Sequence, residues 1–241
     1  MSIAITGATG FLGSNIARVL HDSGRRVIAL TRSQPDVAMP WDHVVVDTYD
    51  PRALAEVLVD CDAVVHTAIA NDFQRLDPTE AYRAYPGLTQ SVTRAAVSSN
   101  TQPVYISTDW VMDGSGHLVD EKSYGRPINT YGYLKALGEQ VIRDLAPEIG
   151  AVCRIGGVMG SHQLRDSLPR TQDVGFGYFV TSLVASLRAG EPFTVFAGDG
   201  VNRVATPSLA SEIGATIGRI VSSGASGMFH VVSDDAVGRM E

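Results

Sequence analysis

An α/β fold, a doubly wound parallel sheet with helices on both faces, is the class this sequence predicts. Three observations predict it. Short apolar runs alternate with longer amphipathic stretches. Glycines at G-x-x-G-x-x-G spacing, Gly7, Gly10 and Gly13, sit between the first apolar run and the first amphipathic stretch. Two long irregular stretches, 110–130 and 156–173, each follow an apolar run, where open α/β sheets place their ligand-binding loops.

Taken in order, the apolar run Ser2-Ile3-Ala4-Ile5-Thr6 reads as a buried strand at 2–6. Further strands are predicted at 26–31, 43–47, 62–67, 103–108 and 150–155. Helices are predicted at 11–23, 51–59, 78–99, 131–146, 174–189 and 207–222. Strands buried on both faces should be apolar throughout, as Ala63-Val64-Val65 and Val104-Tyr105-Ile106 are. Segment 110–130 carries Gly114, Gly116, Gly125 and Pro127 and reads as a loop. No repeat of fixed period is present.

The bulk properties narrow the function. The chain has 241 residues, 44% of them hydrophobic, enough for one large α/β domain. A formal charge of −7 and no Lys/Arg run argue against nucleic acid as a partner. No apolar run reaches membrane-spanning length, so no membrane partner is expected. The N-terminus shows no charged leader or cleavage site. The two cysteines, Cys61 and Cys153, lie in apolar surroundings and read as buried free thiols, in keeping with a cytoplasmic location. The six histidines show no metal-ligand spacing, so no metal is expected. His66, ending the fourth strand, reads as a packed, hydrogen-bonded histidine.

The glycine turn makes the sheet Rossmann-type. Gly7 permits a tight turn, Gly10 lets the backbone approach a pyrophosphate, and Gly13 lets helix and strand pack closely. The second strand ends in Thr31-Arg32-Ser33, with no acid to bind an adenosine ribose 2′-hydroxyl. Arg32 can instead pair with a 2′-phosphate, which favours NADP(H), with NAD(H) as the alternative. Asp47 is placed either to touch the adenine amino group or to cap the turn before the next helix. The expected cofactor-binding residues are Gly7, Thr9, Gly10, Phe11, Leu12, Gly13, Thr31, Arg32, Ser33, Asp47, Thr48, Thr67, Ala68, Ile69 and Ile155, with Tyr131 and Lys135.

Tyr131 and Lys135 are four residues apart, so a helix puts them on one face. An ordinary phenol is a poor proton donor at neutral pH, and a nearby ammonium tunes it for transfer. Period-two alternation lets only one of Ser107 and Thr108 face the site. Thr108 is the choice, its hydroxyl polarising a substrate oxygen. Asp109, Trp110, Met112 and Arg203 are the candidate substrate contacts. Trp110 and Met112 read equally as core, and Arg203 reads slightly more readily as a surface charge. Arg165 and Arg170 are further candidate cations for a nucleotide diphosphate, and Phe176 a candidate apolar wall.

Thr6-Gly7-Ala8-Thr9-Gly10-Phe11-Leu12-Gly13 resembles the nucleotide fingerprint of the extended short-chain dehydrogenase/reductase family. Within that family the dTDP-4-dehydrorhamnose reductase group matches best. Ile106-Ser107-Thr108-Asp109-Trp110-Val111-Met112-Asp113-Gly114 is similar to its segment after the fifth strand. Pro127-Ile128-Asn129-Thr130-Tyr131-Gly132-Tyr133-Leu134-Lys135-Ala136-Leu137-Gly138-Glu139 is similar to its active-site helix. A looser likeness runs through Arg154 and Gly160 to Ala205-Thr206-Pro207-Ser208-Leu209-Ala210. The resemblance implies a Thr108, Tyr131, Lys135 triad and a sugar-nucleotide substrate.

Two departures are visible. Ala84-Tyr85-Pro86-Gly87 stands where the family often has an Asn three residues before the Gly. The family also usually continues past the position of Glu241, so a small, shortened C-terminal substrate lobe and modest nucleotide affinity are expected. The organisation expected is a single domain over 1–241, with a dinucleotide-binding core at 1–155 and mixed core and lobe segments at 156–241. The function expected is NADP(H)-dependent reduction of a nucleotide-linked keto sugar or related small carbonyl compound. A nucleotide-sugar epimerase and a non-catalytic dinucleotide-binding regulatory subunit are the alternatives. A homodimer is compatible with the sequence.

Overall fold

The apolar run after Met1 forms β1 (Ser2–Thr6), whose last four residues are buried. The computed structural model describes residues 1–70, 76–116, 119–165, 179–194 and 204–238. After β1 come α1 (Phe11–Asp22), β2 (Arg26–Thr31), β3 (Asp42–Val45), α2 (Pro51–Leu58) and β4 (Ala63–His66). Next are α3 (Pro78–Tyr82), a π-helical turn at Arg83–Gly87, α4 (Leu88–Ser98), β5 (Gln102–Thr108) and a 3-10 turn at Asp109–Val111. The described chain continues with α5 (Thr130–Leu145), β6 (Ala151–Ile155), β7 (Val158–Met159), α6 (Phe179–Ala189), β8 (Val204–Ala205) and β9 (Ser208–Leu209). It closes with α7 (Ala210–Ser223), β10 (Gly227–Val231) and β11 (Val237–Gly238).

Seven strands form one sheet in the order β10-β6-β5-β4-β1-β2-β3, parallel throughout. The strand order reverses between β1 and β4, and it is outside the carboxyl ends at such a switch point that open α/β sheets bind ligands. The sheet is covered on both faces. Ile3, Ile5, Val65, Val104 and Cys153 pack with Ile16 and Leu20 of α1 and Ile213 and Ile217 of α7. Ala4, Ile28 and Val64 pack on the opposite face with Leu54 and Leu58 of α2 and Val92 and Ala96 of α4. Both cysteines are free and buried, and burial pushes the Cys153 thiol up to about 12.

The doubly wound class is as expected, with three corrections. The single helix expected at 78–99 is interrupted at Arg83–Gly87, where Pro86 lies inside the helix. Proline has no N–H to donate and its ring collides with the carbonyl one turn back, so the turn widens locally. The seventh strand, β10, was not among the expected strands. It is a half-buried edge strand, so it lacks the doubly apolar signature of the interior ones. Residues 156–165 and 204–238 also contain short strands, β7 paired with β9 and β8 with β11, too brief to leave a periodic pattern. The first residues of the helix expected at 174–189 lie outside the described residues. The strands expected at 2–6 and 26–31 have the observed bounds, and elsewhere the boundaries differ by at most three residues.

Candidate active site

The glycine turn is built around one close approach. Gly7 has φ of 71°, and its carbonyl accepts from the Gly10 N–H at 2.9 Å. A Cβ on Gly13 would lie 2.1 Å from that same carbonyl oxygen, and one on Gly7 would lie 2.7 Å from Thr67 Oγ1 and 2.9 Å from the Ala68 nitrogen. Only glycine at these positions lets α1 start directly against the turn. Thr67 ties β4 to the same corner by donating to the Thr6 carbonyl at 2.6 Å. The N-cap of α1 is Gly10, which supplies no side-chain cap, and the first turn carries no acid, so the positive end of a 12-residue helix has no anion from its own first turn. This cradle fits a dinucleotide pyrophosphate.

Around it, Thr31 is half-buried, while Arg32 and Ser33 are exposed at the end of β2. Asp47 accepts from the Tyr49 N–H at 2.9 Å, so it does stabilise the turn, whereas Asp50 caps α2 through the Arg52 and Ala53 N–H groups. Thr48 is buried, Ala68 partly so and Ile69 exposed. Ile155 ends β6, paired with Thr108 of β5.

His66 is buried between two hydroxyls, with Nδ1 2.7 Å from Thr6 Oγ1 and Nε2 3.2 Å from Thr89 Oγ1. Burial, reinforced by Lys135, pulls its pKa down to about 3. The unfolded chain therefore binds a proton that the folded chain refuses between about pH 6.5 and 3, and stability falls as pH falls through that window. Urea denaturation of His66→Gln should show a weaker acid dependence than the parent, by up to about 1.4 kcal/mol per pH unit. Equal pH slopes would mean that His66 is not held neutral.

The catalytic candidates lie on α5 and at the end of β5, two elements that pack together. Asn129 caps α5 by accepting from the Gly132 N–H at 2.8 Å. The ring of Tyr131 stands edge-on to Tyr85 at 6.2 Å and to Trp110 at 5.8 Å. Burial, with Tyr85 and Asp109 adding to it, pushes the Tyr131 phenol up, so it holds its proton. Lys135 is 3% exposed. Its ammonium donates to the Ile106 carbonyl and lies 4.3 Å from the centre of the Tyr105 ring. Burial draws its pKa down to about 7, and Glu139 opposes that fall.

Ser107 and Thr108 point apart. Ser107 donates to Glu139 at 2.6 Å, while Thr108 donates to Asp109 at 3.0 Å and accepts from the Trp110 N–H at 3.3 Å. Trp110 and Met112 are partly buried. Arg203, Arg170 and Phe176 lie outside the described residues. Arg165 is paired with Asp36 in the loop after β2. Sequence reasoning did not single out Tyr85 or Glu139. The signal for Glu139 was an acid one turn beyond Lys135 on a face that must be buried, where a charge needs a partner.

The whole arrangement defines an oxidoreductase of the extended short-chain dehydrogenase/reductase class. The chain belongs to the RmlD substrate binding domain family, whose model matches residues 1–241. It is 30% identical over 239 residues to the "Probable low-salt glycan biosynthesis reductase Agl14" of Haloferax volcanii, covering 97% of this chain and 75% of that protein. It is 27% identical over 230 residues to a dTDP-4-keto-6-deoxy-D-glucose reductase of Streptomyces niveus, covering 95% and 72%. Among solved structures, a UDP-glucose-4-epimerase from Stenotrophomonas maltophila with bound NAD and formylated UDP-arabinopyranose superposes with a TM-score of 0.83. It is 18% identical, with 100% of this chain and 80% of that one covered, a likeness of fold alone. Among the described residues no helix is long and apolar enough to cross a membrane.

Proposed function

We propose that this chain is an NADP(H)-dependent ketoreductase acting on the carbonyl of a nucleotide-linked keto sugar. The observation that carries the reading is the pairing of an uncapped glycine cradle on α1 with a proton-holding Tyr131 and a buried Lys135 on one face of α5. The hydride for the carbonyl carbon would come from NADPH held at the glycine turn of Gly7, Gly10 and Gly13. Tyr131 donates its proton to the carbonyl oxygen, Lys135 stabilises the phenolate left behind, and the Thr108 hydroxyl orients that oxygen. Gly7, Gly10 and Gly13 hold the pyrophosphate. Residues 1–155 supply the dinucleotide site, and 156–241 contribute α7 and β10 to the core beside substrate-side segments. The reductase relatives support this chemistry, and the dTDP-sugar reductase among them supports the substrate class.

The preference for NADP(H) rests on Arg32 and on the lack of an acid at Thr31-Arg32-Ser33. An epimerase that holds NAD tightly would need that acid. Arg32→Ala should weaken NADPH binding about tenfold or more, with NADH nearly unaffected. Equal dissociation constants for the two cofactors in the parent protein would refute the preference. The substrate class is tested by calorimetric titration of the NADP-loaded protein with dTDP and UDP. Heat is expected from at least one. No heat at millimolar ligand, together with reduction of small ketones, would move the substrate away from sugar nucleotides.

A further inference from the structure

Directly behind the catalytic face lies a buried ion pair that the proposed reaction does not use. Glu139 and Arg154 are 1% and 2% exposed. Arg154 grips the carboxylate with two bonds, Nε to Oε1 and Nη2 to Oε2, each 2.8 Å. Ser107 donates to Oε1 at 2.6 Å. The remaining arm of Arg154, Nη1, donates to the Ser123 carbonyl at 3.1 Å, in the loop between β5 and α5. One network thus joins the end of β5, the helix that carries Lys135, strand β6 and the loop beside the site. Replacing such a pair by apolar residues is often neutral for stability, so its presence calls for another explanation.

That explanation is the charge of Lys135. The ammonium is buried, and its partners on neighbouring elements are neutral: the Ile106 carbonyl and the Tyr105 ring on β5, and His66 on β4, which burial keeps uncharged. Tyr131 on α5 and Tyr85 on the π turn keep their protons. Arg154 on β6 is a cation, and Asp109 lies beside Tyr131. Glu139 is the anion that acts on Lys135, one helical turn away on the same element.

We propose that Glu139, locked by Arg154 and Ser107, is a positioning residue that keeps Lys135 charged for proton transfer at Tyr131, while Arg154 fastens this unit to the loop at Ser123. The proposal rests on the ketoreductase reading for its purpose, but its test needs neither cofactor nor substrate. The chain contains two lysines, Lys122 and Lys135. Protein isotope-labelled at the lysine side-chain ε carbon therefore gives two resolved side-chain signals by NMR, and Lys122→Arg assigns them. Glu139→Gln alone strands a buried guanidinium and can unfold the chain, so the pair is replaced together, as E139Q/R154M and E139M/R154M. In a folded double variant the titration midpoint of Lys135 should fall by up to about one pH unit, because the lost Glu139 charge, one turn away on α5, acts on Lys135 more strongly than the lost Arg154 cation on β6. An unchanged midpoint in a folded variant would reduce the pair to a structural brace and overturn the proposal. Failure of both variants to fold would overturn it too, by making the pair a requirement of the fold. Turnover by Tyr131→Phe tests the underlying reading separately, so either can fail without the other.

Discussion

Replacing Tyr131 with Phe should lower kcat for the carbonyl substrate by about 100-fold or more, with NADPH affinity almost unchanged. General acid catalysis contributes about 10²–10⁴-fold, and the substitution removes the proton while keeping the ring. The geometry makes this a clean change. The Tyr131 ring is seated by edge contacts to Tyr85 and Trp110, which a phenylalanine ring preserves. The phenol is held protonated by its burial, the state a reductase needs in its proton donor. Steady-state kinetics with a fluorescence measurement of NADPH binding separate the two quantities. A fall in affinity matching the fall in kcat would make Tyr131 a cofactor-binding residue instead.

A change of similar size is expected at Gly13. A Cβ there meets the Gly7 carbonyl oxygen at 2.1 Å and its carbon at 2.7 Å. These are backbone atoms, so no side chain can rotate away. Either α1 lifts from β1 or the turn at Gly7 opens, and both displace the helix N-terminus proposed to receive the pyrophosphate. Gly13→Ala should cost about 1–3 kcal/mol of stability, the usual range for overpacking a tight site. It should also weaken NADPH by more than tenfold. Thermal unfolding and a binding titration read the two effects. Unchanged cofactor affinity in the variant would mean that the diphosphate does not sit on this turn.

These two sites were legible for a common reason: each is local. The glycine spacing and the Tyr131–Lys135 spacing lie within one turn or one helix, so their geometry follows from backbone periodicity. Period-two alternation let only one of Ser107 and Thr108 face the site, and the two hydroxyls do take different partners, Glu139 and Asp109. What was not legible is non-local or depends on context. Glu139 and Arg154 meet only because β6 pairs with β5 in the register that sets Arg154 beside Ser107. The π turn at Arg83–Gly87 shares its apolar pattern with an ordinary helix, and Pro86 changes only the hydrogen bonding. The edge strand β10 is half-buried, and its pattern matches neither a buried strand nor an amphipathic helix.

The reaction proposed for this protein is hydride transfer from a nicotinamide to a sugar-nucleotide ketone, with Tyr131 as proton donor. The most direct measurement is NADPH consumption with a dTDP-linked 4-keto-6-deoxy sugar, in the parent protein and in Tyr131→Phe side by side. The parent should oxidise NADPH stoichiometrically with formation of the reduced sugar, and the variant should do so about 100-fold more slowly, or slower still. Oxidation at the same rate in both proteins would contradict it, as would a parent protein that binds NADPH and the ketone yet leaves both unchanged.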